Sequence, residues 1–367
     1  MARQTVSWIP AHPMVAGLSM QRYWFFMQQA ADRAVDLDVS CVLGRPQEVD
    51  KAPQQGRLTK AFTKYIGYPL KVKLGAKHGI YHILDHGWAH MMNFLPQGAA
   101  RIVTVHDLIP LRYPDALTKN QLDRVWWVVN HIKKCQAVIS DSEHTKYEIV
   151  DLLKIPGERI HVIPLGVAVA GPIMQKSAKL GAVLEKIKNG GAELIIGCLG
   201  ATGRRKNIEL LLGAVTQLRR RKINVVVLRA GPPPHGKIAG LFDQLAVQRG
   251  LVDLGMLKDS EIAGFYASID VLCMPSLYEG FGLPVIEAMA AGTPVICSNA
   301  TSLPEVAGDA AITFDPNDRE ELEDAIVRVM DPMVRAKMAQ RGRARAADFT
   351  WDRTLQECRR VYQRFSV

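Results

Sequence analysis

The chain has 367 residues, 48% of them hydrophobic and 22% charged, a composition typical of a globular protein rather than a fibrous or disordered one. Its length exceeds one ordinary domain core, so two domains are expected. The formal charge of +10 suggests an anionic partner. Because the chain has no zinc-finger spacing, RNA-binding aromatic signature or basic-region heptad, we expect that partner not to be nucleic acid.

No apolar run approaches the ~18 residues of a membrane span, and the first residues, MARQTVSWIPAHP, lack the continuous apolar stretch of a signal peptide. We therefore expect a cytoplasmic protein. Its six cysteines are dispersed and form neither a CxxC pair nor a disulfide framework. They predict reduced, mostly buried thiols and no metal site. The sequence leaves the oligomeric state open.

Short apolar runs alternate with helical patterns along the whole chain, which is typical of βαβ units and parallel sheets. In chain order the predicted strands are TVSWIP, DVSCVL, GIYHIL, RIVTVHD, AVISDS, RIHVIPLGV, LIIGCLG, NVVVLRAG, VLCMPS, TPVICS and AAITF. Five apolar residues from Ile208 to Leu218 form one stripe of an amphipathic helix. The spacing of Thr145 and Glu148 is that of a capping box and predicts a helix start.

The periodicity is interrupted once, at residues 164–182, where small residues, glycine and proline replace it. We place the interdomain linker there. The predicted fold class is α/β, with two doubly wound domains, residues 1–168 and 169–349, that face each other across a central cleft. In such sheets ligands bind at the carboxyl ends of the strands, so residues just after strands are candidate site residues.

The stretch EGFGLPVIEA contains two glutamates in a setting that suits a phosphorylated ligand. Glu279 follows the strand VLCMPS, Pro284 suits the first turn of a helix, and Glu287 falls about one turn into it. Gly280 and Gly282 would let backbone N–H groups approach an anion at the helix start. Carboxylates only accept hydrogen bonds, which suits sugar or ribose hydroxyls. The alternative is that the glutamates merely complement the helix dipole.

The longer stretch PSLYEGFGLPVIEAMAAGTPVICSNATSLPEVAGDAA resembles the signature of family 4 retaining glycosyltransferases, which adopt the GT-B fold with two Rossmann-like domains. The resemblance continues through RRKNIELLLGA, EIAGFYASIDVLCMPS and FTWDRTLQECRRVY, and more thinly at VTVHDLIP and AVISDSEHTKYEI. It implies an acceptor-binding first domain, a donor-binding second domain, and a C-terminal helix, 350–367, that packs back on the first. It also implies a nucleotide diphosphate sugar as donor, with no cofactor and no metal.

The resemblance assigns roles to the residues of this stretch. Glu287 would bind the nucleotide ribose and Glu279 the transferred sugar. Gly280, Phe281 and Gly282 would offer backbone amides, and Leu283 completes this donor-binding set. Retention usually suggests a carboxylate nucleophile, but the resemblance implies same-face attack in which the departing phosphate helps to deprotonate the acceptor. Glu279 is then a positioning group among the catalytic residues.

The basic run GRRKN follows the strand LIIGCLG. Lys206 matches the phosphate-binding lysine of the family, and a cation here would stabilise the leaving diphosphate. Many members carry an arginine where this chain has Ala201, so Arg204 or Arg205 would supply the second charge. Arg205, which adjoins Lys206, is taken as the donor-binding candidate. Without the resemblance, the run is more typical of a solvated basic turn.

Four candidates lie in the first domain. The resemblance implies that His106, at the end of the strand RIVTV, contacts the donor sugar and the reacting centre; otherwise it is a structural histidine. Gly17 would contact the diphosphate, although members commonly have paired glycines where this chain has Ala16 and Gly17. His86 and Trp88 follow the strand GIYHIL and are candidate acceptor contacts, because an aromatic face suits a sugar or lipid. The alternative for both is an ordinary loop.

Residues 58–77 combine an apolar stripe with a row of lysines. The stripe is Leu58, Ala61, Phe62, Tyr65 and Ile66, and the lysines are Lys60, Lys64, Lys71, Lys73 and Lys77. Such a surface binds anionic headgroups and would hold the protein peripherally on the inner face of the plasma membrane. It would also suit a polyprenyl-diphosphate-linked acceptor. The alternative is a core-packed helix with a solvated basic face.

These features together predict a hexosyltransferase that modifies a saccharide or lipid-linked acceptor in surface polysaccharide or lipopolysaccharide assembly. Resemblance alone favours a GDP-mannose-type donor. Two alternatives remain: a GT-B synthase or phosphorylase acting on a soluble sugar, and a non-catalytic sugar-nucleotide-binding scaffold at the membrane.

Overall fold

The short apolar runs form two sheets in which every strand is parallel to its neighbours, as βαβ connections require. A computed structural model of the chain describes residues 4–46, 56–75, 79–167 and 178–366. The chain divides into two compact units, one formed by Met1–Gly166 with Thr350–Val367 and the other by Val167–Phe349.

The first unit contains a six-stranded sheet in the order β2-β1-β3-β4-β5-β6. Its strands are β1 Gln4–Ile9, β2 Leu37–Cys41, β3 Ile80–Ile83, β4 Ala100–Val105, β5 Ala137–Ser140 and β6 Ile160–Val162. Its α-helices, apart from the last of the chain, are α1 Leu18–Arg33, α2 Arg57–Phe62, α3 Tyr68–Gly75, α4 Ile109–Arg112, α5 Lys119–Val129 and α6 Glu143–Leu153. A π-helical turn, Thr63–Gly67, joins α2 to α3, and a 3-10 helix, His86–Phe94, follows β3.

The second unit contains a six-stranded sheet in the order β12-β11-β10-β7-β8-β9. Its strands are β7 Leu194–Leu199, β8 Val225–Ala230, β9 Leu251–Asp253, β10 Val271–Met274, β11 Val295–Ser298 and β12 Ile312–Phe314. Its α-helices are α7 Ala178–Asn189, α8 Ile208–Arg220, α9 Lys237–Val247, α10 Asp259–Tyr266, α11 Leu283–Ala290, α12 Leu303–Ala307, α13 Arg319–Arg328 and α14 Pro332–Ala346. A 3-10 turn, Arg204–Lys206, leads from β7 into α8.

The hydrophobic pattern of α8 positions the core of the second unit. All five residues of the predicted stripe are at most 3% exposed, and they pack with strand residues such as Ile196 and Val227. The predicted amphipathic helix is therefore confirmed. In the first unit, strand residues such as Val103 and Val138 and the 3-10 helix residue Met91 form the corresponding core.

The last helix, α15 Trp351–Gln363, packs on α1 within the first unit. Its Tyr362 hydroxyl accepts a hydrogen bond from Trp8 Nε1 at 3.2 Å and lies 2.6 Å from His82 Nδ1. His82 Nε2 lies 2.8 Å from Thr104 Oγ1. Burial lowers the pKa of His82 to about 3, so its ring is neutral and joins β1, β3, β4 and α15 through hydrogen bonds alone.

Eleven of the twelve strands in the described residues fall on predicted runs, and the two-sheet α/β fold class is confirmed. The missed strand is β9, which has three residues. The predicted linker lies partly outside the described residues, and α7 begins within its last part, at Ala178.

The predicted capping box is wrong. Helix α6 begins at Glu143, where the Ser142 side chain accepts a hydrogen bond from the Thr145 amide. Glu148 Oε1 lies 2.6 Å from Arg112 Nε in an ion pair and 3.6 Å from His144 Nε2. The negative charge of this buried carboxylate is therefore balanced by an arginine that is distant in the sequence. The residue spacing of a capping box carries no information about such a partner.

Gly166 is predicted to be essential for docking of the last helix. A Cβ atom at this position would overlap the Trp351 backbone nitrogen and lie 2.7 Å from the carbonyl carbon of Thr350. Because backbone atoms cannot move aside as a side chain does, Gly166→Ala should destabilise the protein by about 1–3 kcal/mol. Calorimetry should show a lower melting temperature.

Gly240→Ala is the matched control for this change. Gly240 lies in α9, and a Cβ atom there would have no atom within 4 Å. Alanine there should leave stability unchanged or raise it by about 0.5–1 kcal/mol. Equal melting temperatures for Gly166→Ala and the wild type would contradict the close backbone contact.

Candidate active site

A nearly buried carboxylate lies between two cations in the second unit. Glu279 is 7% exposed and follows β10. Lys206 Nζ donates a hydrogen bond to its Oε1 at 2.6 Å, and Arg205 Nη1 lies 3.3 Å from its Oε2. Arg204, the other candidate for the second charge, has an exposed side chain. The structure therefore brings Arg205, Lys206 and Glu279 together.

A buried arginine, which the sequence analysis did not single out, supports the turn that carries Lys206. Arg229 is fully buried at the end of β8, where its guanidinium donates to Gly200 O at 2.7 Å and pairs with Asp253 at 3.0 Å. Gly200 has a φ of +122°, and its position packs against the Lys206 side chain. The one available signal was a charged residue inside the otherwise apolar run NVVVLRAG. The arginine positions the turn that carries Lys206.

The glycine-containing loop before α11 has a tightly specified backbone. Gly282 has a φ of +104°, and a Cβ there would lie 2.7 Å from Leu303 Cδ2. The Ser302 hydroxyl lies 2.9 Å from both Glu279 O and Phe281 O. Phe281 itself is 5% exposed, so its side chain belongs to the core and only its backbone is available for a ligand. Ser302 follows β11 and was not singled out by the sequence.

Glu287 and Leu283 lie on α11, with Leu283 as its first residue. The hydroxyl of Tyr266 donates to Glu287 Oε2 at 2.9 Å and orients that carboxylate. Tyr266 ends α10 and is 2% exposed. Its position in EIAGFYASID gave no indication of this contact, because it depends on how α10 packs near α11.

In the first unit, charged residues gather at the carboxyl ends of β3, β4 and β5, which are neighbours in the sheet. His106 follows β4 and is 5% exposed. Its Nδ1 lies 2.7 Å from Asp141 Oδ2, after β5, and its Nε2 lies 2.9 Å from Leu84 O, after β3. Both ring nitrogens therefore have partners within this unit. The ring also packs edge-on against Tyr23, with centroids 4.7 Å apart.

The His106–Asp141 pair retains a proton at neutral pH. Burial by itself would lower the pKa of His106, but the Asp141 carboxylate outweighs that effect and raises the pKa to about 9. Burial conversely raises the pKa of the Asp141 carboxyl. Since Nε2 faces a carbonyl oxygen, which can only accept, we assign the ring as a doubly protonated imidazolium that is paired with the Asp141 carboxylate.

The remaining candidates of the first unit differ in accessibility. Trp88 is 2% exposed and is covered by Lys64, whose Nζ lies 5.2 Å from the ring centroid, so its aromatic face is not open. His86 lines a cavity within this unit. Gly17 caps α1 with an ordinary φ of −69°, and a Cβ atom there would have no atom within 4 Å. A tight turn is therefore not the reason for glycine at this position.

The described residues contain no cluster of three or more histidine, cysteine, aspartate or glutamate side chains arranged to hold a metal ion. All six cysteines are free, and five of them are buried. None of the helices in the described ranges is long and apolar enough to cross a membrane.

The architecture and the charged site together define a class of protein. Two parallel α/β sheets in one chain, with cations and a carboxylate at the carboxyl ends of strands in the second, are typical of enzymes that bind their ligands at that edge of the sheet.

Comparisons with known proteins identify the family. Residues 184–345 match the family described as Glycosyl transferases group 1, and residues 28–170 match Glycosyltransferase Family 4. O-antigen chain mannosyltransferase B of Escherichia coli is 32% identical over 337 residues, which cover 85% of this chain and 84% of that protein. An MMP alpha-(1->4)-mannosyltransferase of Mycolicibacterium hassiacum is 30% identical over 65% of this chain and 60% of that protein.

Among solved structures, Anabaena HepE in complex with UDP and glucose superposes with a TM-score of 0.71, covering 99% of this chain and 100% of that chain at 15% identity. That likeness concerns the fold. The chain belongs to family 4 of the glycosyltransferases and is an enzyme with the GT-B fold. The resemblance drawn from the sequence is thereby confirmed.

The His106–Asp141 pair should titrate far from the ordinary histidine value of 6.5. Because its pKa is raised in the folded protein, the pair contributes stability that is fully present below about pH 6.5 and is lost as the pH rises through about 9. In NMR titrations, one histidine signal should change near pH 9 and be absent from His106→Gln.

Asp141→Asn tests the cause of this shift. Without the carboxylate, burial is opposed only by the weaker effects of Asp85 and the Leu84 carbonyl, so the pKa of His106 should fall well below its wild-type value of about 9. A wild-type signal that titrates at the ordinary value would contradict the imidazolium assignment.

Proposed function

We propose that the protein is a retaining glycosyltransferase that moves a hexose, mannose or a mannose-like sugar, from a nucleotide diphosphate sugar to a hydroxyl of a saccharide or lipid-linked acceptor. The observation that carries this proposal is the cluster of Lys206, Arg205 and Glu279. Its similarity to an O-antigen chain mannosyltransferase supports a role in surface polysaccharide or lipopolysaccharide assembly. The GDP-mannose type of donor remains part of the proposal.

The cluster suits the departure of a diphosphate. Lys206 and Arg205 supply two positive charges, and the single carboxylate of Glu279 balances one of them. We infer that the donor diphosphate replaces Glu279 as their partner, which frees the carboxylate to accept hydrogen bonds from the sugar hydroxyls. The backbone amides of Gly280, Gly282 and Leu283 add positive potential at the start of α11. The cations would then stabilise the leaving group without a divalent metal.

Glu279 acts as a positioning group in this mechanism. In the donor complex the freed carboxylate would accept hydrogen bonds from the sugar hydroxyls, which would hold the sugar in position and engage the negative charge that a nucleophile needs. Attack on the same face, with the departing phosphate accepting the proton of the acceptor hydroxyl, fits such a site. Glu287, oriented by Tyr266, would bind the nucleotide ribose.

The first unit would bind the acceptor in this proposal. His106 would lie at the reacting centre as an imidazolium, with Asp141 holding its ring. His86 and Gly17 remain the candidates for acceptor and diphosphate contacts. Trp88 would contribute by packing against Lys64, because its ring face is not exposed to an acceptor.

Lys206→Ala should fold normally and lose turnover. Removal of a charge that stabilises the leaving group should lower kcat about 100- to 1,000-fold. Arg204→Ala is the matched control, since the neighbouring side chain is exposed and should matter little. The assay measures release of GDP from GDP-mannose with a membrane-extract acceptor, in the presence of EDTA. Thermal stabilisation by GDP, UDP, dTDP and ADP reports donor binding independently.

The outcomes separate the alternatives. Near-normal turnover by Lys206→Ala would contradict the site. Selective nucleotide stabilisation without transfer to any acceptor would favour the non-catalytic scaffold, and transfer to a soluble sugar alone would favour the synthase or phosphorylase.

We further propose that residues 58–74 face an anionic membrane. Five large apolar side chains on α2, the π-helical turn and α3 are 52–87% exposed: Leu58, Phe62, Ile66, Leu70 and Leu74. Their four-residue spacing would drift around an α-helix of 3.6 residues per turn, and the wider π-helical turn offsets part of that drift. Lys60, Lys71 and Lys73 lie on the same segment and complement anionic headgroups. Lys77, also part of the predicted surface, lies outside the described residues.

Phe62→Ser with Ile66→Ser should weaken binding to phosphatidylglycerol-containing vesicles in flotation assays. Each apolar side chain contributes about 1.5–3 kcal/mol when buried in the bilayer, so the loss should exceed tenfold. Val247→Ser with Met333→Ser, which changes side chains that are 85% and 81% exposed, is the matched control. Binding that is unaffected by the first pair, or equal on uncharged vesicles, would contradict this surface.

A further inference from the structure

The first unit contains a cavity of about 320 Å³ between the π-helical turn, the residues after β3 and β4, and α5. Its walls are largely aliphatic and include Leu108, Leu111, Leu117, Val125 and Val128. The volume lies at the lower end of the ~300–1,000 Å³ typical of small-molecule sites. A cavity of this size suits one part of a larger ligand.

Basic side chains lie around this cavity. Lys64, His86 and Arg124 line it, and no aspartate or glutamate is found among the described residues that line it. Lys64 Nζ lies over the Trp88 ring, 5.2 Å from the centroid. Neither Lys64 nor Arg124 forms an ion pair with another residue in the described part of the chain. Arg124 and Lys64 can therefore each pair with an anionic group, although the nearby Asp85 charge also acts on Lys64.

The lining disfavours a sugar as the occupant. Sugar hydroxyls need several hydrogen-bond acceptors, and the largely aliphatic walls provide few, chiefly Gln121, Tyr65 and His86. An apolar chain gains free energy from the same walls. The combination of aliphatic walls and unpaired cations complements an amphiphile whose apolar chain ends in a phosphate.

The position of the cavity agrees with the membrane-facing segment. Lys64 and Tyr65 line the cavity, and in the sequence they lie between the exposed residues Phe62 and Ile66. His86 lines it on the side of the strand ends, next to Asp85, whose charge acts on His106. A chain in the cavity would therefore carry its head group towards the charged residues that follow β3 and β4.

We propose that this cavity binds the first part of the apolar chain of a lipid-linked acceptor and that Lys64 and Arg124 bind the phosphate joined to that chain. This inference rests on the proposed function, because it assigns the lipid end of the acceptor of that same reaction. It extends the function by making the chain, in addition to the saccharide, a recognised part of the substrate.

Dodecyl phosphate, used below its micelle-forming concentration, tests the cavity by isothermal titration calorimetry with the full chain. It should bind the wild type saturably. Val125→Trp fills the cavity and should weaken binding at least about tenfold. Lys64→Met should weaken it similarly, because the phosphate loses a cation. Dodecyltrimethylammonium, which has the same chain and opposite charge, should bind at least about tenfold more weakly than dodecyl phosphate.

Val247→Trp is the matched control, since it places the same side chain on an exposed site of the second unit and should bind dodecyl phosphate like the wild type. Circular dichroism of Val125→Trp verifies its fold. Equal binding by Val125→Trp and the wild type would overturn the proposal, because the chain would then lie elsewhere. Displacement by inorganic phosphate alone, or no saturable binding by the wild type, would overturn it as well.

A failure of the proposed function can be distinguished from a failure of the cavity proposal. Absence of nucleotide stabilisation in the wild type would count against the donor site in the second unit. The dodecyl phosphate titration still decides the cavity in that case, because its readout requires neither donor nor turnover.

Discussion

Parallel strand direction is the constraint on which both charged sites depend. Because all neighbouring strands run the same way, every loop that follows a strand leaves its sheet at the same edge. In the second unit, β7 and β10 pair, so the turn with Lys206 meets the loop with Glu279 although 73 positions separate them. In the first unit, the same rule brings His106 and Asp141 together from β4 and β5.

Charges collected in this way are costly to bury unless each has a partner. Glu279 has two cations, and Arg229 has Asp253 together with backbone carbonyl oxygens. These pairs also hold the loops in place before any ligand binds. Such preorganisation is what stabilisation of a leaving diphosphate requires, since the charges then need little rearrangement during the reaction. The hydroxyl of Ser302 completes the support by tying the glycine loop to the residues after β11.

The first unit combines two apolar features on one segment. Residues such as Phe62 and Ile66 remain exposed, which is unusual for a contiguous row of large side chains and indicates an interaction surface. Lys64 and Tyr65 of the same segment line a cavity instead. A single helical segment would thus contact both a membrane and the lipid part of an acceptor, while the strand ends nearby carry the charged groups.

The sequence by itself determined the two-domain α/β architecture, eleven of the twelve described strands and the family, because these depend on local hydrophobic periodicity and on a contiguous motif. The tertiary structure decided which side chains meet. It showed Arg205 rather than Arg204 beside Glu279, Tyr266 on Glu287, and partners on both nitrogens of His106. It also showed that the Trp88 side chain is buried and that the Phe62 side chain is exposed. The sequence alone did not decide either point. Burial and pairing depend on contacts between residues far apart in the chain, and no local pattern records those contacts.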